Sequence, residues 1–210
     1  MQVDIWSDIR CPFCYIGKRK FEMALKEFDQ KNEVEVIWHS FELDPQAQTM
    51  PDGDMYDHLA KVKGQTREWS VKMHEHVTNL AKEVGLAYDF DKAIIANSFN
   101  AHRLIQFAKT KNLGDQVKEN LLKAYFILGQ NIDDKKTLIE IGIESGMNKN
   151  EVEEVIHSDA FSTQVREDEA LAHQIGVTGV PFFVFDKKFA VSGAQDPAVF
   201  LQALEKMKNK

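Results

Sequence analysis

The stretch SDIRCPFCYIG, residues 7–17, holds both cysteines of the chain, Cys11 and Cys14, three positions apart. Immediately before it, VDIWS (residues 3–7) carries the β-branched and aromatic residues of a buried strand. Immediately after it, Ile16, Phe21, Leu25 and Phe28 recur at nearly helical spacing. Pro12 suits the first helical position, because its φ is preset and it has no N–H to lose, and the helix is expected to end near Lys31 or Asn32. EVEVIWHSFEL (residues 33–43) then reads as a second strand closed by the turn signal Asp44-Pro45. Cys11 therefore falls at the junction of strand and helix in a βαβ unit.

Two cysteines placed at random in 210 residues would show this spacing about once in a hundred trials, so accident explains the pair poorly. The N-terminal MQVDIWSD has neither the basic nor the apolar segment of a secretory signal, so the chain reads as cytoplasmic. In a reducing cytosol a static disulfide is not expected, which leaves catalysis or metal binding. Composition narrows the field further. A content of 43% hydrophobic and 10% aromatic residues fills a core, and no run approaches the roughly 18 apolar residues of a membrane span. The formal charge of -7 comes from acids and bases mixed along the chain, with no basic block to track a phosphate backbone, so neither nucleic acid nor membrane is expected as a partner.

From about Pro51 to His173 the pattern changes to helical periodicities broken by glycine: DMYDHLAKVKG, TREWSVKMHEHVTNLAKEVG, NSFNAHRLIQFAKTKNLG, DQVKENLLKAYFILGQ, DKKTLIEIGIESG and NKNEVEEVIHS. It flips back at GVTGVPFFVFDKKFAVSGAQD, where FFVF and FAVS are short strand runs joined by Asp186-Lys187-Lys188 as a hairpin. Asp196-Pro197 opens a last helix, PAVFLQALEKMK. The order is βαβ, a helical block, then ββα.

A CxxC pair at the start of the first helix of a βαβ unit, with Gly-Val-Pro far downstream before a ββα unit, resembles the thioredoxin fold, and the large helical insertion resembles the DsbA family of thiol-disulfide oxidoreductases. SDIRCPFCYIGKRKFE, WHSFELDP, NAHRL, KAYF and GVTGVPFFVF are similar to its cytosolic FrnE-like branch. That branch is related in architecture to 2-hydroxychromene-2-carboxylate isomerases and kappa-class glutathione transferases. The resemblance implies an α/β chain: a discontinuous thioredoxin-like domain of residues 1–50 and 174–210, and an all-helical insertion of residues 51–173. It also implies a cis peptide bond between Val180 and Pro181, close to the cysteines. No cofactor is required on this reading, and glutathione enters as a redox partner or co-substrate. Where periplasmic DsbA carries His between the cysteines and FrnE-like proteins usually carry Trp, this chain has Phe13.

Thiol-disulfide exchange needs an attacking thiolate and a second sulfur within reach to release the mixed disulfide. At a helix start, unpaired N–H groups and the partial positive charge of the helix end favour a thiolate on Cys11. Cys11 is thus expected to be the exposed nucleophile and Cys14 the less exposed resolving thiol, with Pro181 completing the catalytic set. Pro12, Phe13 and Val180 are expected to touch the substrate, the groups of Val180 pairing with its extended backbone as an added strand. Phe13 puts no charge beside the sulfur, which predicts a milder oxidant than a His would give. Asp8 and Arg10 flank the loop, where the first would oppose a thiolate and the second favour it; the competing reading is that both are simply solvated charges.

Other readings are weaker. A zinc site would need His39, or His74 and His76, beside the cysteines, but these fall on separate elements, and no metal is expected. Asn97, Asn100 and His102 share one helix, where a histidine satisfied by backbone competes with a ligand contact. The row Leu121, Leu122, Tyr125, Phe126 and Leu128 reads as core. The expected function is disulfide exchange with a protein or small-molecule substrate. The alternatives are a glutathione-dependent isomerase or transferase and, more distantly, a peptide-holding module.

Overall fold

A computed structural model of the protein describes residues 1–50 and 52–208; Pro51, where the helical block was expected to begin, lies outside the described residues. Strand β1 (Gln2–Ser7) alternates Val3 and Ile5 on one face with Asp4 and Trp6 on the other. The first helix, α1 (Pro12–Glu27), carries the chain back so that β2 (Glu35–Ser40) pairs with β1 in parallel, Val3 opposite Val36. Strand β3 (Phe182–Phe185) lies antiparallel on the other side of β1, and β4 (Phe189–Ser192) forms a hairpin with it, giving the order β2-β1-β3-β4. This is the expected βαβ and ββα arrangement.

Val3, Ile5, Phe183 and Phe185 are fully buried on one face of the sheet. There Phe21 of α1 and Phe200 of the last helix, α9 (Pro197–Lys208), close an aromatic cluster, with ring centroids 5.6 Å apart for Phe21 and Phe183 and 4.6 Å for Phe183 and Phe200. Each buried ring contributes about 2–3 kcal/mol, so this cluster fixes α1, and with it Cys11, against the sheet.

The first helix stops at Glu27, four or five residues before the expected end at Lys31 or Asn32. Phe28 turns extended at φ −76° and ψ 126°, its ring buried with the Lys208 ammonium 4.6 Å from its centroid. Burying that ring requires the chain to leave the helix, and a separate 3-10 turn, Lys31–Glu33, follows.

The helical block holds α2 (Met55–Lys63), α3 (Arg67–Glu83), α4 (Phe99–Lys109), α5 (Gly114–Phe126), α6 (Lys135–Glu144) and α7 (Lys149–His157), one for each periodic segment. Several begin at side-chain caps: Asp54 accepts from Tyr56 N, Thr66 from Trp69 N, Asp134 from Thr137 N and Asn148 from Asn150 N. Leu121, Leu122, Tyr125 and Phe126 are buried, and Leu128 is exposed. A further helix, α8 (Ser162–Gln174), was not apparent in the sequence, because its STQVREDEALAHQ has no sustained apolar stripe. Contacts divide the chain into two compact units, Met1–Leu43 with Arg166–Lys210, and Asp44–Val165. Most of α8 thus belongs to the unit that contains the sheet.

Candidate active site

The loop between β1 and α1 is built around a carboxylate. Asp8 is fully buried, its Oδ1 accepting from Arg10 N at 3.1 Å and its Oδ2 from Leu43 N at 2.8 Å. It ties the end of β1 to the stretch just after β2, which removes the solvated reading of Asp8 and leaves the one in which it opposes a thiolate on Cys11. Arg10 differs too. Its Nε and Nη1 are buried without a hydrogen-bond partner among the described residues.

Cys11 is the N-cap residue of α1, extended at φ −88° and ψ 112°, with Pro12 following at the first helical position. Its carbonyl accepts from Cys14 N at 3.0 Å, and its thiol donates to the Val180 carbonyl at 3.4 Å. The Val180-Pro181 bond is cis. The structure thus brings Cys11, Cys14, Val180 and Pro181 together, and Phe13 stands beside them at 37% exposure. Two expectations need correction. The residue expected to be exposed, Cys11, is only 4% exposed, against 1% for Cys14. The Val180 carbonyl, expected free for a substrate, is occupied by the Cys11 thiol.

Gly17 was missed. A Cβ there would come within 2.9 Å of Pro181 Cγ and 3.5 Å of Ala194, so only glycine lets α1 approach the proline this closely. Gly193 N donates to the Pro181 carbonyl at 2.8 Å, and Lys20 Nζ to the Ala194 carbonyl at 3.3 Å, holding the same junction. The signal was present in the sequence: a glycine one turn inside a helix costs about 1 kcal/mol relative to Ala unless packing demands it.

Electrostatics at the pair oppose easy ionisation. The Cys11 thiol is pushed well above its ordinary range, first by the hydrogen bond it shares with Cys14, then by burial, with the Asp8 carboxylate adding to both. The N–H of Cys14 pulls in the direction expected of a helix start but is outweighed. Further along, Glu42 is buried, and Arg166 Nη1 bonds both its Oε2 and Glu169 Oε2 at 2.6 Å. Burial pushes the Glu42 carboxyl up to about 7, resisted by the Arg166 hydrogen bond and reinforced by Glu169 and Asp8. None of this network was foreseen beyond the Asp8 position.

His39 lies flat on Trp6, centroids 4.3 Å apart, with Nδ1 2.6 Å from Asp168 Oδ1 and Nε2 2.8 Å from Asp4 Oδ1. Both ring nitrogens thus face a carboxylate, an arrangement that ties β1, β2 and Asp168 together through one imidazole. In the other unit, Asn97 Nδ2 donates to the Ala47 carbonyl at 3.0 Å, and Asn100 Nδ2 to Asp133 Oδ1 at 3.1 Å. His102 is buried. Arg103 of the same helix donates to the Val155, Ser158 and Ala160 carbonyls, so this stretch works as internal scaffolding.

The model of the DSBA-like thioredoxin domain matches residues 2–205. A probable DsbA oxidoreductase, SCO1869 from Streptomyces coelicolor, is 35% identical with a TM-score of 0.94, covering 100% of this chain and 91% of its own. The cytosolic disulfide reductase DsbM from Pseudomonas aeruginosa, solved with GSH, has a TM-score of 0.72 at 17% identity, with 100% of both chains covered. A 2-hydroxychromene-2-carboxylate isomerase has a TM-score of 0.71 at 14% identity, covering 100% of this chain and 97% of its own. The last two likenesses are of fold. No helix among the described residues is long and apolar enough to cross a membrane.

Proposed function

The chain belongs to the DSBA-like thioredoxin domain family, and from that premise we propose that Cys11 and Cys14 form a redox dithiol that reduces disulfides in protein or small-molecule substrates. In the reaction the Cys11 thiolate attacks one sulfur of the substrate disulfide. The substrate S–S bond breaks, a Cys11–substrate disulfide forms, and the first substrate thiolate leaves and takes up a proton. Cys14, having lost its proton, then attacks the Cys11 sulfur and releases the second substrate thiol. The pair is left as a disulfide, and two electrons have passed to the substrate. Two molecules of glutathione return the pair to the dithiol, themselves becoming glutathione disulfide. A glutathione complex of the DsbM fold relative supports that partner, and the cytosolic naming of DsbM supports a reducing compartment.

The observation that carries the direction is the thiol of Cys11, buried and bonded to the Val180 carbonyl beside Cys14 and Asp8. A pair becomes a strong oxidant when its nucleophile is stabilised as thiolate, and here the hydrogen bond with Cys14 and burial outweigh the Cys14 N–H and work the other way. Phe13, which brings no positive charge, agrees. Pro181 and Val180 would seat the substrate backbone once it displaces the Cys11 thiol, and Pro12 and Phe13 would form the exposed rim.

The test is the reduction potential, measured by equilibrating the protein in graded glutathione buffers and counting free thiols by mass. A reversible two-thiol transition at about −200 to −270 mV is expected. A potential near about −120 mV would make the pair an oxidant and overturn the direction. Glutathione retained on Cys11 with no intramolecular disulfide would replace this reading with a glutathione-dependent isomerase or transferase.

A further inference from the structure

The face of the sheet opposite the aromatic cluster is only partly covered. Trp6 and Phe182 pack against Ala172 of α8 and Val177, but beyond them an open cavity of about 670 Å³ remains over Ile37, Val184 and Ala190. Its side wall is the end of α8 and the residue after it, where Leu171 and Ile175 stay 39% and 45% exposed. Its residues are separate from the 8–17 loop and from Val180-Pro181, so it is not part of the cysteine site. The volume is that of a small-molecule site.

Lysines outnumber carboxylates in the lining of this cavity. The one carboxylate in the lining, Asp4, accepts from His39 Nε2 and from Gln2 Nε2, both at 2.8 Å. Lys187 and Lys188 line the same cavity; the charge of Lys187 helps to hold the Asp4 carboxyl low, less than His39 and Gln2 do, and Lys188 adds a second positive charge to the lining. Their placement is built in. Asp186 and Lys187 both take left-handed backbone conformations, φ 47° and 57°, which L residues with a Cβ rarely adopt in succession. The turn is pinned by Asp186, whose N–H donates to the Gln2 carbonyl while its Oδ1 accepts from Gln2 N, both at 2.8 Å.

The geometry points to a second ligand site, in which the sheet face binds a small molecule with a flat apolar body and an anionic end: an aryl carboxylate whose ring lies on Val184, Ala190 and the Leu171–Ile175 wall, and whose carboxylate meets Lys187 and Lys188. An apolar body accounts for the uncovered floor, and the anion accounts for two lysines brought into its lining by a turn with two successive left-handed residues.

The probes are 2-naphthoate and its neutral counterpart 2-naphthamide, titrated into the whole protein by calorimetry. The naphthoate should bind about fivefold more tightly than the amide, and in the native protein this preference should shrink in about 0.5 M salt. Lys187→Gln with Lys188→Gln should bring the naphthoate down to the level of the amide and leave the amide unchanged. Ala190→Trp, which fills the floor, should weaken both. Equal binding of the two probes, binding of neither, a preference that survives loss of both lysines, or Ala190→Trp without effect would each overturn the proposal. The salt dependence needs no variant to fold.

Discussion

At the scale of single residues the candidate site depends on two sulfurs and the glycine that lets a proline approach them. Cys14→Ser is expected to leave Cys11 able to attack but unable to be released, so that a Cys11–substrate disulfide accumulates and turnover falls on the order of a hundredfold or more. Intact-mass analysis after exposure to oxidised glutathione would show the adduct, and its absence would remove Cys11 from the role of nucleophile. Gly17→Ala separates packing from propensity. In an open helix this change stabilises by about 1 kcal/mol. Here the new methyl would sit 2.9 Å from Pro181 Cγ, and a loss of about 1–3 kcal/mol in urea unfolding is expected, with the sign deciding the matter. Of this site, the sequence disclosed the sulfurs and the proline, because spacing and an X-Pro bond are visible in one dimension. The Gly17 contact, the burial of Asp8 and the hold of Cys11 on Val180 depend on residues more than 30 positions apart, or on solvent access, and only folding reveals them.

At the scale of elements, α8 shows how a helix can be fastened by polar groups. Ser162–Gln174 carries little apolar patterning, yet Asp168 accepts from Ser40 N at 2.8 Å and bonds His39, while its carbonyl accepts from Trp6 Nε1 at 3.0 Å. Asp168→Ala would take the carboxylate away from His39 Nδ1 and leave the Ser40 N–H without its acceptor, a cost of about 3 kcal/mol in chemical denaturation. A loss under about 1 kcal/mol would show that apolar packing alone seats this helix. The strands and the other helices were legible because a period of two or of 3.6 separated buried from exposed residues along each. The end of α1 and the presence of α8 were not, since the first is set by one buried ring, Phe28, and the second by contacts to β1 and β2.

For the molecule as a whole, stability should depend on pH through Glu42. Its carboxyl rises from an ordinary 4.5 to about 7 on folding. Below 4.5 both folded and unfolded chains hold the proton, so nothing is lost. Between 4.5 and 7 the unfolded chain releases it while the folded one keeps it, and stability falls as pH rises; above 7 the loss is complete. Glu42→Gln should flatten that interval and leave the protein more stable than the native chain at pH 8 by about 1–3 kcal/mol, read from thermal or urea unfolding across pH. Asp4 works in the opposite sense. Burial pushes its carboxyl up, but the hydrogen bonds of His39 and Gln2 outweigh it and hold it low, so its contribution is present near neutrality and disappears in acid. The pairing of β1 with β3, and of Cys11 with Val180, has a consequence during biosynthesis. Both thiols leave the ribosome ahead of Val180, whose carbonyl shelters one of them and comes some 169 residues later, a wait on the order of ten to thirty seconds at ordinary elongation rates. Over that interval the nascent chain carries two thiols without that hydrogen bond, so a stalled ribosome would lengthen the time in which both stand open to alkylation and oxidation.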